Sequence, residues 1–224
     1  MPKLRLDRPG PLVYLITDRL SLPDTLNQIP ATTANLSDFI QRALTAGVDM
    51  LQIRERDLSV RDTLSIAEAA VQFAKGTGAH ILVNDRADVA RCAGAGVHLT
   101  TRSLTANVVR RSFGPDIIIG ASTHNLEEAM AAESSGADFV VFGPVFETTS
   151  KQDYGPPVGV GELRMVARRL RIPVLALGGI TLANFPDALD AGAAGIAAIS
   201  LFASASDLET VVRSIKGIGG LSSN

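Results

Sequence analysis

Five clusters of polar residues in this chain each follow a short apolar run. Met50-Leu51 leads into Gln52-Ile53-Arg54-Glu55-Arg56, and Ile81-Leu82-Val83 into Asn84-Asp85. Ile117-Ile118-Ile119 leads into Gly120-Ala121-Ser122-Thr123-His124. Phe139-Val140-Val141-Phe142 precedes Thr148-Thr149-Ser150-Lys151, and Val174-Leu175-Ala176-Leu177 runs into Gly178-Gly179-Ile180-Thr181. These residue types suit anion recognition and proton transfer. Arginine grips phosphate or carboxylate through a planar fork of donors. A glycine pair lets backbone N–H groups close on an anion. His124, beside Ser122, is the natural general acid/base, because an imidazole titrates near neutral pH.

Each cluster also has a plainer reading. Arg54, Glu55 and Arg56 can form an ion pair that only plugs an interior. Strand alternation puts Gln52, Arg54 and Arg56 on one face, Ile53 and Glu55 on the other. Asp85 fits a magnesium ligand or, more simply, the N-cap of a helix from Arg86. Lys151 either closes over an anion or is a solvated loop residue. The Gly178-Gly179 pair either binds phosphate or permits a tight turn, and Thr181 can cap the helix that follows. Its place after a seventh strand, with Ser200 ending an eighth, favours phosphate. His80 opens a strand, away from the chemistry, and His98 reads as a satisfied core residue. Cys92, the only cysteine, reads as a small buried residue in a helical stretch. No zinc-ligand spacing, Walker lysine loop or dinucleotide fingerprint occurs.

The elements that must position these groups follow from the pattern. Apolar runs lie near 12–17, 50–53, 80–83, 96–99, 117–121, 139–142, 173–177 and 195–199. Amphipathic stretches separate most of them: 37–46, 59–74, 105–113, 125–135, 161–170, 181–191 and 206–215. Continuous apolar strands between helices predict a buried parallel sheet. Eight such units predict closure into a (β/α)8 TIM barrel, whose catalytic groups sit at the C-terminal strand ends. An internal echo agrees. Ala46-Gly47-Val48-Asp49, Ser135-Gly136-Ala137-Asp138 and Ala191-Gly192-Ala193-Ala194 each end a helix just before a strand. Glycine can stop a helix there in the left-handed conformation.

The whole chain, 1–224, reads as a single TIM-barrel domain. Its barrel spans about 12–216, with an irregular insertion at 18–35 and a mobile tail at 217–224. A Gly/Pro-rich loop at 143–160 lies on the expected active-site face. The 224 residues are 46% hydrophobic, enough for one large core, and the formal charge of −2 favours neither nucleic acid nor an anionic membrane. There is no run of about 18 apolar residues for a spanning helix. Met1 to Arg5 has no long apolar stretch after it, so no secretory signal is expected. One cysteine suits a reducing, cytoplasmic setting. Nothing in the pattern sets an oligomeric state.

Over residues 12–215 the chain resembles the thiamine phosphate synthase and thiazole tautomerase family. The resemblance is carried, in order and with matching separations, by Gln52-Ile-Arg54-Glu-Arg56, Val83-Asn84-Asp85, Gly96-Val-His98-Leu and Gly120-Ala-Ser122-Thr-His124. Gly143-Pro144-Val-Phe, Thr148-Thr-Ser150-Lys151, Gly178-Gly179-Ile-Thr181 and Ile199-Ser200 complete it. It implies a (β/α)8 barrel acting in thiamine biosynthesis. Synthases of the family expel pyrophosphate from a pyrimidine methyl pyrophosphate, and the nitrogen of a thiazole phosphate captures the resulting cation. By that resemblance Gln52, Arg54, Arg56 and Asn84 match the pyrimidine pyrophosphate site. Asp85 matches a magnesium ligand, Ser122 a pyrimidine contact and Lys151 a pyrophosphate contact. Thr148, Ser150, Gly179, Ile199 and Ser200 match the thiazole phosphate site.

Three departures stand out. Synthases usually carry lysine at the position of Arg56, a Gly-Gln pair at Thr100-Thr101, and a second magnesium-binding aspartate at Ser103. A serine hydroxyl is a poor substitute for a carboxylate where pyrophosphate charge must be neutralised. The stretches around Arg54, Val83–Ala90, Leu99–Leu104 and Phe142–Thr148 are closer to the tautomerase branch. The expectation is therefore a thiazole phosphate tautomerase, an isomerase with His124 as proton shuttle and no cofactor required. The alternative is a magnesium-dependent thiamine phosphate synthase, a transferase. Further alternatives are a non-catalytic thiazole phosphate binder and some other phosphate-binding barrel.

Overall fold

In the computed structural model, residues 10–22, 33–148 and 156–217 are described. Eight strands form a closed barrel in sequence order, every neighbouring pair parallel. They are β1 (Leu12–Ile16), β2 (Met50–Ile53), β3 (His80–Asn84), β4 (Gly96–Leu99), β5 (Ile119–Thr123), β6 (Phe139–Phe142), β7 (Val174–Leu177) and β8 (Gly195–Ala198). The intervening helices are α1 (Thr33–Thr45), α2 (Val60–Ala74), α3 (Ala87–Ala93), α4 (Ala106–Phe113), α5 (Leu126–Ser134), α6 (Gly159–Arg169) and α7 (Phe185–Asp190). A short α8 (Ser200–Ala203) and then α9 (Leu208–Gly217) follow β8. This is the expected (β/α)8 barrel.

Strand alternation divides the core in two. Val13, Leu15, Leu51, Ile53, Ile81 and Val83 face outward, under the helices. Leu12, Tyr14, Ile16, Met50, Leu82, Phe139, Val141 and Leu175 fill the inside. The interior needs small residues opposite large ones. A Cβ on Gly120 would sit 2.4 Å from Phe139 Cζ and 2.8 Å from His98 Nδ1, so only glycine lets those two rings meet there.

The glycine echo has a mechanical counterpart at the N-terminal end of the barrel. Gly47, Gly136 and Gly192 all take positive φ (88°, 94° and 99°). The aspartates that follow two of them tie neighbouring strands. Asp49 Oδ2 accepts from Val13 N and Asp138 Oδ2 from Ile119 N, at 2.9 and 2.7 Å. A cation holds each carboxylate in turn, Lys216 at 2.9 Å and Arg110 at 2.7 Å.

Several boundaries differ from those expected. The first helix starts at Thr33, inside the expected 18–35 insertion, and Arg19–Ser21 form a 3-10 turn. Residues 23–32 lie outside the described residues. β5 starts at Ile119 rather than 117, so Ser122 and Thr123 belong to the strand. α7 starts at Phe185 rather than 181, because Thr181 and Asn184 close a turn on each other. Thr181 N donates to Asn184 Oδ1 and Asn184 N to Thr181 Oγ1. β8 stops at Ala198, and Ser200 opens α8 instead of ending the strand. Gly217 belongs to α9 rather than to a tail, and 218–224 lie outside the described residues. Cys92 is helical but exposed, not buried: α3 turns Ala87, Val89, Ala90 and Ala93 inward and leaves Cys92 on the outer side.

Candidate active site

The polar side chains expected at the C-terminal strand ends gather on a buried hydrogen-bonded floor. Gln52 closes the inner face of β2, two residues past Met50, and is 2% exposed. Its Nε2 donates to Asn84 Oδ1 at 2.9 Å across the β2–β3 pair. Tyr14 O–H on β1 donates to Gln52 Oε1 at 3.2 Å and lies 3.1 Å from His98 Nδ1. The other His98 nitrogen is 2.9 Å from Ser122 Oγ on β5. One chain of contacts thus links β1, β2, β3, β4 and β5. Burial pushes the Tyr14 phenol well above its usual pKa, so it stays a neutral hydroxyl. His98 is the satisfied core histidine expected from sequence, and its partners tie it to the site.

Above this floor the rim is charged. Arg54 is half-buried and Arg56 exposed. Glu55 does not pair with either of them as a plug. It takes Thr17 Oγ1 at 2.6 Å and Arg19 Nη1 at 3.2 Å, and Arg19 also forks onto Asp57 at 2.5 and 2.6 Å. Thr17 Oγ1 in turn accepts from Arg54 N at 3.0 Å. The Arg19 hydrogen bond holds the Asp57 carboxyl below the usual carboxylate range. Sequence reasoning missed Tyr14, Thr17, Arg19 and Asp57. Tyr14 hides in an apolar run, and Arg19 and Asp57 are adjacent only once β1 and β2 are paired.

Asp85 is not the expected helix cap. The N-cap of α3 is Arg86, with no side-chain cap bond, and Asp85 holds φ = 61°. Its N–H donates to His98 O at 2.8 Å, which pins it at the ends of β3 and β4. Its carboxylate accepts a short hydrogen bond from Ser103 Oγ. Ser103 is fixed in a tight turn, its Oγ 2.7 Å from Thr100 N and 3.0 Å from Thr100 Oγ1. Positions 85 and 103, distant in sequence, are therefore direct neighbours. A cleft of about 470 Å³ lined by Asp85, Arg86, Arg102, Ser103 and Leu104 opens beside this turn, toward α3 and α4. Among the described residues, no group of three or more His, Cys, Asp or Glu is placed to hold a metal ion. The donors at this corner are one carboxylate and a hydroxyl, oxygen ligands of the kind a hard divalent cation such as magnesium takes.

His124 lies just past β5, with Nδ1 3.0 Å and N 2.8 Å from Glu128 Oε2. Glu128 also receives Asn125 Nδ2, and its N–H donates to Asn125 Oδ1, a reciprocal cap at the start of α5.

The loops after β6, β7 and β8 make the remaining wall. Val145 N donates to Leu177 O and Phe146 N to Gly178 O, so the β6 loop rides on the β7 loop. Gly179 has φ = 63°, and a Cβ there would lie 2.2 Å from Glu147 O. This glycine is required by both conformation and space. Asn184 Nδ2 holds Gly179 O at 2.9 Å. Thr148 follows Glu147 on the same wall, and Ile199 and Ser200 begin α8. Ser150 and Lys151 lie outside the described residues.

A closed parallel barrel with polar groups converging on its C-terminal strand ends is the architecture of the (β/α)8 enzymes. The comparisons with known proteins narrow this class. The sequence profile of the thiamine monophosphate synthase family matches residues 13–202. A thiamine-phosphate synthase of Chlorobium luteolum is 42% identical over 210 residues, 93% of each chain. Another, from a Roseiflexus species, is 38% identical over 210 residues, 93% of this chain and 85% of its own. Among solved structures, thiamine phosphate pyrophosphorylase from Pyrococcus furiosus superposes with a TM-score of 0.79 at 31% identity, over 93% of this chain and 95% of that one. The chain belongs to the thiamine monophosphate synthase family.

These relatives overturn the expected tautomerase, an isomerase, because chains 38% and 42% identical to this one over 93% of its length carry the name of the synthase. The serine at position 103 changes one donor at a corner that keeps Asp85. The proton-shuttle role of His124 loses its reaction along with that reading. Among the described residues, no helix is long and apolar enough to cross a membrane.

Proposed function

We propose that this chain is a thiamine phosphate synthase, joining a pyrimidine methyl pyrophosphate to a thiazole phosphate with release of pyrophosphate. The observation that carries the reading is the 42% identity to a thiamine-phosphate synthase over 93% of both chains. In the reaction, the bond from the pyrimidine methylene carbon to pyrophosphate oxygen breaks, and its electron pair leaves with the pyrophosphate. The thiazole nitrogen then gives its lone pair to that carbon, forming the C–N bond.

The residues at the strand ends suit the two halves of this work. Gln52 and Asn84 orient the pyrimidine side, while Arg54 and Arg56 set positive charge where pyrophosphate charge develops. Ser122 contacts the pyrimidine ring. Lys151 completes the pyrophosphate contacts. Thr148, Ser150, Gly179, Ile199 and Ser200 hold the thiazole phosphate, and loops after strands seven and eight are the usual phosphate site of this fold. Asp85, with Ser103 beside it, would hold magnesium, and the ion would supply positive charge to neutralise the leaving pyrophosphate.

The test is direct. Purified protein receives the pyrimidine methyl pyrophosphate, the thiazole phosphate and magnesium, and thiamine phosphate is scored. Magnesium-dependent product is expected. Absence of product under conditions where both substrates bind would sink the reading.

A further inference from the structure

The segment Arg54-Glu55-Arg56-Asp57 alternates cations with carboxylates, two of each, so by itself it offers an anion no net attraction. The fold removes both carboxylates from that balance. Arg19, brought alongside by β1, takes them together. Its Nη1 lies 3.2 Å from Glu55 Oε2, and its fork meets Asp57 at 2.5 and 2.6 Å. Its backbone N–H lies 3.2 Å from both Glu55 oxygens, and Thr17 Oγ1 donates to Oε1 at 2.6 Å. Glu55 is thereby enclosed. Asp18 fixes the turn from which Arg19 reaches, accepting from Leu20 N and Ser21 Oγ to cap the 3-10 turn Arg19–Ser21. The Arg19 side chain is itself only 12% exposed and engaged by these two carboxylates. Arg56 stands between them in the chain, three residues past the end of β2. It is exposed, and among the described residues its guanidinium has no hydrogen bond or ion pair. A carboxylate released beside it would compete with an incoming anion for that charge.

We propose that Arg19 is a positioning residue for anion binding: it sequesters Glu55 and Asp57, so that Arg56 stays an uncommitted cation. Which anion this serves rests on the synthase reading, where it is the pyrophosphate of the pyrimidine substrate. Arg19 touches no ligand in this role and acts through the carboxylates it withholds. Asp57, the more exposed of the two, is the one free to turn back toward Arg56 when Arg19 is lost, since Glu55 remains held by Thr17.

A double-mutant cycle on Arg19 and Asp57 tests this, read by calorimetry as affinity for inorganic pyrophosphate at fixed magnesium concentration. Arg19→Ala should weaken pyrophosphate binding roughly threefold to fivefold, the scale of one exposed charge pair. Adding Asp57→Asn to that variant should restore most of the loss. In the wild-type background Asp57→Asn should change affinity much less, because Asp57 is already engaged there. Unchanged affinity in Arg19→Ala overturns the proposal. So does a double variant as weak as Arg19→Ala, the result that a purely structural role or a direct contact of Arg19 with pyrophosphate would give. Equal effects of Asp57→Asn in the two backgrounds overturn it as well. If Arg19→Ala does not fold, Arg19→Lys, which keeps the charge and loses the fork, takes its place, and coupling of the same sign is required of it. The two readings fail separately. Pyrophosphate binding that follows this cycle in a protein yielding no thiamine phosphate refutes the synthase reading alone. Binding indifferent to Arg19 in a protein that makes thiamine phosphate refutes the sequestration alone.

Discussion

At position 103 this chain carries a hydroxyl where synthases of the family usually carry a carboxylate, and what that hydroxyl touches is Asp85. The contact explains how a serine fits there. It is held by Thr100 on one side and gives its proton to the carboxylate on the other. Ser103→Asp would place a second negative charge against Asp85. In the absence of metal the two carboxylates repel, and the melting temperature should fall. With magnesium or manganese and pyrophosphate present, the added ligand should tighten cation binding by at least about tenfold. Manganese titration followed by EPR checks this, and unchanged affinity would show that position 103 does not face the ion. Gly120 gives a second prediction at this scale. Gly120→Ala pushes a methyl into Phe139 and His98, and overpacking of this kind should destabilise the barrel by about 2 kcal/mol, read as a lower denaturation midpoint.

The ends of β1 and β2 are joined by a side-chain clamp rather than by backbone alone. Glu55 is only 2% exposed in its side chain and depends on Arg19 for charge balance. Arg19→Ala would leave that carboxylate buried with Thr17 and one backbone N–H, a loss of roughly 3 kcal/mol. Asp57, on the same arginine, sets a pH dependence. Its folded pKa lies below its unfolded value. Its contribution is therefore complete above the unfolded carboxylate range, near about pH 4, and is lost as pH falls through the lower folded value. Asp57→Asn should lower stability slightly at neutral pH, leave it unchanged at the acid limit, and so flatten the acid end of the stability curve. Urea midpoints between about pH 2 and 6 would reveal it, and an unaltered acid slope would remove Asp57 from the account.

On the scale of the whole barrel, the end opposite the chemistry has fastenings of its own. Arg110 reaches from α4 to Gly136 O, Pro115 O, Ile117 O and Asp138, while Lys216 of α9 reaches Gly47 O and Asp49. These bolts fasten helices to the starts of strands and leave the opposite ends to loops and polar side chains. This matches the general division of labour in such barrels, stability at one face and catalysis at the other. Arg110→Ala strands three carbonyls and a carboxylate at once. It should lower stability by roughly 2 kcal/mol without changing substrate affinity. A large rise in KM in that variant would contradict the separation of the two faces.

The sequence by itself determined the architecture and the rows of residues at its mouth. Eight apolar runs between amphipathic stretches are a local signal, because strand alternation and helical periodicity are written in neighbouring residues. Gln52, Asn84 and Ser122 were legible for the same reason, as polar residues ending apolar runs. Only the tertiary structure decided who their partners are. Tyr14 looks like one more apolar-run residue until barrel closure sets its hydroxyl against Gln52 and His98. Asp85 looks like a helix cap until the chain returns Ser103 to it, and Glu55 looks like a partner of adjacent arginines until β1 brings Arg19 alongside. Hydrogen bonds and charge pairs depend on distance and angle in space, and residues 18, 36 or 84 positions apart leave no periodic trace of such contacts in the chain.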